Sequence, residues 1–270
     1  MTATKDLLIC NAILVDPEAG TQRTGALRLR DGRIVDCHDG PWPEPGDAQV
    51  VDARGKYLAP GIVDIGVKVG EPGERHKESY RSAGDAAAAG GVTTMVTRAD
   101  TNPCIDTPES LEFIRRRATD DTPVNVAHMA ALTKGRAGRE MTEIGFLQDA
   151  GAIAFSDHDR VHQNAKTLGR AMTYAAGLGA LVITHPQDPS LSEGTCTTTG
   201  KFASLRGLPA VSPIAERMGL DRDLALVEMT GVSLHADQIT TTRALPALER
   251  AKSNGHDVTA GIPIHHLTLN

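Results

Sequence analysis

The chain has 270 residues, 40% of them hydrophobic and 23% charged, with 28 Lys and Arg against 34 Asp and Glu for a formal net charge of −6. Such proportions predict a folded chain with a substantial core, and the acidic balance with only 3% aromatic residues argues against nucleic acid or an anionic membrane surface as a partner. No apolar run approaches the roughly 20 residues that a membrane-spanning helix needs. Cys10, Cys37, Cys104 and Cys196 are widely spaced, with no CxxC pair and no secretory signal before them, which predicts reduced thiols in the cytoplasm.

Residues 7–15, 25–37 with Asp31-Gly32 as a turn, and 49–52 read as short strands of a small β domain over residues 1–57. Pro41, Pro43, Pro45 and Gly46 form a breaker cluster inside it and read as a surface loop. Beyond Leu58, over residues 58–270, apolar strand candidates alternate with helical stretches, the pattern of parallel βα units. The strands fall at residues 61–69, 92–99, 123–132, 151–156, 180–184, 232–239 and 257–264, and the helices at 79–89, 108–118, 141–150, 165–177, 214–229 and 241–253. The polar stretch 188–208 reads as a long loop.

Seven strands in this alternation point to a (β/α)8 barrel lacking one unit or to an open doubly wound sheet. The glycine fingerprint that would favour the sheet is missing: Ala88-Ala89-Gly90-Gly91 follows a helix and precedes a strand, so it reads as a helix C-cap. On the first barrel strand, residues two apart share a face, so Gly66, Lys68 and Gly70 are expected to point together. That face offers one ammonium and no metal ligand.

The segments Leu58-Ala59-Pro60-Gly61-Ile62-Val63-Asp64, Glu71-Pro72-Gly73, Ala86 to Gly91 followed by Val92-Thr93-Thr94, and Thr101-Asn102-Pro103 resemble a class I dihydroorotase of the amidohydrolase superfamily. The resemblance continues through Gly151 to Asp157, Thr184-His185, Pro213-Ile214-Ala215-Glu216 and His265-His266-Leu267. It implies a (β/α)8-type TIM barrel, an accompanying small β-sandwich portion, and zinc at the C-terminal strand ends. There the metal would activate a water and polarise a cyclic amide, interconverting N-carbamoyl-aspartate and dihydroorotate.

Taken residue by residue, the resemblance also implies losses. Gly66, Lys68 and Gly70 stand where the family has two histidine ligands and the arginine that holds the substrate carboxylate. Asp100 replaces a substrate-binding amide and would repel an anionic substrate unless Arg98 or another cation offset it. Asp157 and His185 match metal ligands, whereas Gln238 stands at the next ligand position, and an amide is a poor zinc ligand. The chain stops at Asn270, before the family's eighth strand with its catalytic aspartate, so the barrel is expected to be incomplete at the C-terminus.

These departures predict an inactive branch with no catalytic residue and no metal, Asp157 and His185 being remnant ligands. An ion pair between Lys68 and Asp157 is expected to fill the space left by metal. His158 reads as a loop histidine of low specificity, Ser156 and Thr184 form no nucleophilic triad, and Cys104 reads as structural. By resemblance, the expected role is structural, in de novo pyrimidine biosynthesis, as a partner of the aspartate transcarbamoylase catalytic chain. An opened barrel edge also favours homo-oligomers. The alternatives are a truncated product or a working zinc-dependent cyclic amidohydrolase, its metal site rebuilt from His158, His185, His235 and His265.

Overall fold

The computed structural model describes residues 6–42 and 44–269, so Pro43 of the breaker cluster and Asn270 lie outside the described residues. It divides into two compact units, Met1–Ile62 and Val63–Asn270.

The first unit contains one five-stranded sheet of β1 (Asp6–Asp16), β2 (Thr21–Arg30), β3 (Arg33–Asp39), β4 (Gln49–Asp52) and β5 (Tyr57–Leu58). Strands β1 and β2, and β2 and β3, pair antiparallel, while β4 and β5 both run parallel to β1. Asp31 and Gly32 close the β2–β3 hairpin with φ of 52° and 76°, the two positive values that a twist-compatible two-residue turn requires. Leu8, Ala26 and Ala48 form its small core, with Cys10 and Trp42 against them.

In the second unit the strands are β6 (Ile62–Val67), β7 (Val92–Thr97), β8 (Asn125–Ala130), β9 (Ala152–Ser156), β10 (Val182–Thr184), β11 (Thr197–Thr198), β12 (Ala210–Val211), β13 (Leu234–Ala236) and β14 (Val258–Ala260). Seven of them form a curled sheet in the order β6, β7, β8, β9, β10, β13, β14, with parallel pairing from β7 onward. Helices α1 (Tyr80–Ala89), α2 (Pro108–Asp121), α3 (Ile144–Asp149), α4 (Ala165–Gly177), α5 (Pro189–Ser192), α6 (Lys201–Arg206), α7 (Ile214–Thr230), α8 (Leu245–Ser253) and α9 (His265–Thr268) are interleaved or follow. This is the strand–helix order of a TIM barrel, with β6 and β14 at open edges among the described residues.

Local chemistry accounts for the helix starts. Ser79 with Ser82 and Thr107 with Ser110 form reciprocal capping boxes, and Asn164 accepts the Lys166 and Thr167 N–H groups at the start of α4. At the end of α1 the left-handed residue is Gly91, at φ +81°.

Two expected strands are cut short by a left-handed residue within their apolar runs. Gly66, at φ +88°, turns β6 so that it stops at Val67. Gln238, at φ +56°, ends the run after β13, and the Asp237 N–H is given to the Thr184 carbonyl. The stretch 188–208 is more ordered than its polarity suggested: it contains α5, α6 and the parallel pairing of β11 with β12.

Two cores lie on opposite faces of the large sheet. The main one, including Leu111, Ile114, Leu147, Phe155, Leu168, Met172 and Leu234, fills the space between strands and helices. Each such fully buried side chain contributes about 1.5–3 kcal/mol relative to exposure. The other face carries only Val96, Met129, Ala154 and Ile183, with Ala127 and Leu181 against them, which leaves the strand ends to polar groups. No helix among the described residues is long and apolar enough to cross a membrane.

Two contacts fix the loops that follow β10 and β13. Gly219 of α7 lies against the Gln187 backbone so closely that an added Cβ would collide with it. The Glu216 carboxylate accepts four hydrogen bonds, from the N–H and hydroxyl of Thr240 and of Thr241, at 2.7 to 2.9 Å. Gly219→Ala is therefore expected to destabilise the protein by about 1–3 kcal/mol through overpacking, read as a lower urea midpoint. An unchanged midpoint would mean that α7 and the 185–188 segment can separate without cost.

Candidate functional site

The matched positions gather at the C-terminal ends of the parallel strands. Because β6 stops at Val67, strand alternation does not extend to Lys68 and Gly70, and the three positions do not share one strand face as expected. Gly70 is also enclosed: a Cβ there would come within 2.6 Å of the Glu74 carbonyl oxygen. An arginine at that position would force the segment 70–74 apart.

The expected ion pair between Lys68 and Asp157 is corrected by the structure. Lys68 Nζ lies 3.2 Å from Asp100 Oδ2, and Arg98 Nη2 reaches the same oxygen at 3.1 Å. Asp100 has a side chain only 2% exposed, so its charge requires partners there. Arg98 lies 3.7 Å from Asp159, which also pairs with Arg136, and Arg136 donates through Nε and Nη2 to the Asp157 carbonyl at 3.2 and 2.9 Å. Three cations and two carboxylates thus tie together the segments that follow β6, β7, β8 and β9. The expected offset of Asp100 by Arg98 is present, with Lys68 as the second cation.

Asp157 has other partners. Its Oδ1 accepts the N–H groups of Leu132 and Thr133, both at 3.0 Å, and its Oδ2 accepts the Thr133 hydroxyl. His162 Nε2 stands 3.7 Å from Oδ2, beyond hydrogen-bond reach. The carboxylate therefore ties β9 to the segment after β8, and a lysine is not required to compensate it.

His158 is the largest departure from the sequence reading, being 3% exposed and held at φ +57°. Its Nε2 accepts the Ala99 N–H at 2.7 Å and its backbone N–H bonds Ser156 Oγ at 2.9 Å. That assigns the proton to Nδ1. Burial, reinforced by Arg98 and Arg136, pushes its pKa well below the ordinary value, which keeps Nε2 an acceptor. No periodicity or motif signals this role, nor that of Arg136 in the short turn after β8.

The remaining candidates do not converge. His235 Nδ1 is 2.8 Å from Thr259 Oγ1, while His235 Nε2 and His185 Nδ1 are buried without a hydrogen-bond partner. Burial lowers the pKa of both imidazoles against the opposing pull of Asp237. Gln238 turns its amide to Asp237, at 3.5 Å. His265 is exposed on α9 beside His266, their rings 4.4 Å apart, so the four-histidine site of the alternative reading is not assembled. All four cysteines are free, and burial raises the Cys104 pKa, which fits a structural thiol.

Zinc needs about three or four donors with lone pairs to spare. Here the Asp157 oxygens and His158 Nε2 are already engaged, and Lys68 brings an ammonium toward the strand ends. Among the described residues no group of three His, Cys, Asp or Glu side chains is placed to hold a metal ion. The residues present do not fit the zinc centre that the resemblance implies.

Two predictions follow from this geometry. Arg98→Met is expected to cost about 3–5 kcal/mol by leaving Asp100 buried and underpaired, while Lys68→Met, at a side chain 55% exposed, should cost about 1 kcal/mol or less. Urea titration of the two variants checks the order, and equal losses would contradict it. The second concerns acid. Burial lowers the folded pKa of His158, His162, His185 and His235, and that of His128 to about 4. The unfolded chain takes up these protons near pH 6.5, so their contribution is full above that pH and is lost as pH falls toward 4. Unfolding midpoints should drop between pH 7.5 and 4.5; His158→Asn, which tolerates the left-handed backbone, should lower the pH 7.5 value and flatten the slope. A slope identical in wild type and variant would remove His158 from the account.

The sequence model of the family described as Dihydro-orotase-like matches residues 55–244. A dihydroorotase-like protein of Pseudomonas putida is 37% identical over 261 residues, covering 97% of this chain and 61% of that protein. A dihydroorotase of Syntrophus aciditrophicus (strain SB) is 34% identical over 263 residues, covering 97% of this chain and 62% of that protein. The L-hydantoinase of Arthrobacter aurescens shares the fold with a TM-score of 0.83 at 19% identity, covering 98% of this chain and 60% of that one. The chain thus spans about three fifths of the length of the curated relatives it matches. With the family match running from the end of the β domain through β13, and the strand order that of a TIM barrel, the chain belongs to the dihydroorotase-like family of the amidohydrolase superfamily.

Proposed function

We propose that this chain is a non-catalytic dihydroorotase-like component of de novo pyrimidine biosynthesis and a structural partner of the aspartate transcarbamoylase catalytic chain. Family membership and the relatives named dihydroorotase support the pathway. One observation carries the non-catalytic reading: Asp157, which matches a metal ligand, spends its oxygens on Leu132 and Thr133, while Lys68 and Arg98 are drawn to Asp100. A cationic cluster of this kind repels a divalent ion, and the enclosed Gly70 cannot be replaced by the arginine that would hold a substrate carboxylate.

The partnership is carried by family resemblance.

Elemental mass spectrometry of protein purified without chelator or histidine tag is expected to find zinc well below one per chain. Interconversion of N-carbamoyl-aspartate and dihydroorotate should stay at background with added zinc. The Gly66→His, Lys68→His, Gly70→Arg triple variant should remain inactive. Stoichiometric zinc with turnover that chelation abolishes would replace this proposal with an enzyme. The partnership is read separately, by light scattering of a mixture with the transferase catalytic chain. A stable complex is expected; two independent peaks across the micromolar range would rule the partnership out.

A further inference from the structure

Helices α3 and α4 lie side by side and expose opposite charges. Their contact is close: a Cβ on Gly145 of α3 would stand 3.4 Å from Tyr174 Oη and 3.7 Å from Leu178 Cδ1, and Gln148 Nε2 donates to the Leu178 carbonyl at 3.4 Å. Each helix also spends one face on the core, through Ile144 and Leu147 on α3 and through Leu168, Ala171, Met172 and Ala175 on α4. The opposite faces are left to solvent.

On α3 the exposed side chains are Phe146 and Asp149, with Glu143 exposed at the N-cap. Steps of three residues keep all three on one side of the helix, so the aromatic ring stands between two carboxylates. Phe146 is 66% exposed, and neither carboxylate makes an ion pair among the described residues.

On α4 the charges are reversed. Lys166 and Arg170 are its only charged side chains, both are exposed, and neither makes an ion pair among the described residues. The spacing of four puts them on one side, and the same stripe continues through Thr173, Tyr174 and Gly177. With Met141 and Leu178, these three residues and Arg170 line an open groove of about 540 Å³, in which Arg170 is the one charged lining residue. At Gly177 an added Cβ would meet nothing within 4 Å, so the groove has room there for a side chain from outside.

The two faces complement each other, an acidic aromatic knob beside a basic apolar groove, yet both point outward and cannot meet within one chain. A two-fold axis brings the knob of one copy to the groove of another and the second knob to the first groove in the same step. We propose that the α3–α4 surface is the interface of a homodimer, in which Phe146 enters the groove over Gly177 of the second copy while Glu143 and Asp149 meet its Lys166 and Arg170. Each copy brings two charges of each sign to this contact, so the interface is neutral although the whole chain carries −6. One aromatic ring per half within a rim of solvent-screened ion pairs makes the dimer weak and salt-sensitive, with a Kd on the order of 10–100 µM. The contact uses neither the strand-end charges nor the open edges of β6 and β14, and it does not depend on assembly with a transferase.

Sedimentation velocity of the whole chain, at concentrations from about 1 to 300 µM in low salt, tests the assignment. A monomer that converts to a dimer as concentration rises is expected, with the conversion weakened by about 0.5 M sodium chloride. Phe146→Glu should weaken the dimer at least tenfold, while Phe202→Glu, at an exposed aromatic on α6, should dimerise as the wild type does. The Glu143→Lys, Asp149→Lys variant and the Lys166→Glu, Arg170→Glu variant should each be monomeric alone and form a dimer when mixed in equal amounts, because the two reversed faces then match. All four positions are exposed, so folding should survive. A monomer at every concentration, a dimer that Phe146→Glu leaves intact, or a mixture of the reversed variants that stays monomeric would overturn the proposal.

Discussion

The burial of Asp157 is the constraint around which the strand ends are organised. A carboxylate 1% exposed must be compensated, and two backbone N–H groups and a hydroxyl from the segment after β8 do so. The same residue's carbonyl takes the Arg136 guanidinium, so one position locks β9 to the turn after β8 through both its side chain and its backbone. Arg136 then reaches Asp159, and Arg98 continues the chain of charges to Asp100 and Lys68.

The charges at the strand ends compensate one another. Asp100 by itself would be a buried negative charge, and Arg98 and Lys68 supply the cations within 3.2 Å. Burial, with Arg98 and Arg136 adding to it, keeps His158 neutral, and the neutral imidazole supplies the acceptor that the Ala99 N–H needs. Lys68, Arg98, Asp100 and His158 each contribute to a hydrogen-bonded or ionic contact between neighbouring strand ends.

A centre of this kind ties stability to protonation. Burial lowers the pKa of the imidazoles at the strand ends, so charging them in acid costs stability. His128 belongs to a different environment on the helix side of the sheet, where Thr97 Oγ1 meets its Nδ1 at 2.7 Å and Tyr80 packs edge-on against its ring. Its burial adds to the same acid sensitivity without touching the candidate sites.

The alternation of apolar runs and Ala-rich helices, and the motifs from Leu58 to Thr101, were enough to determine the βα order, the β domain that precedes it and the family, because periodicity and turn chemistry are local properties. Only the tertiary structure decided where the charges go. Lys68 pairs with Asp100 because β6 turns at Gly66 and stops at Val67, which the apolar run to Val69 concealed. His158 becomes a buried acceptor because a left-handed backbone aims it at Ala99, 59 residues away. Partners so distant in sequence are set by strand register and loop closure, which no local pattern encodes.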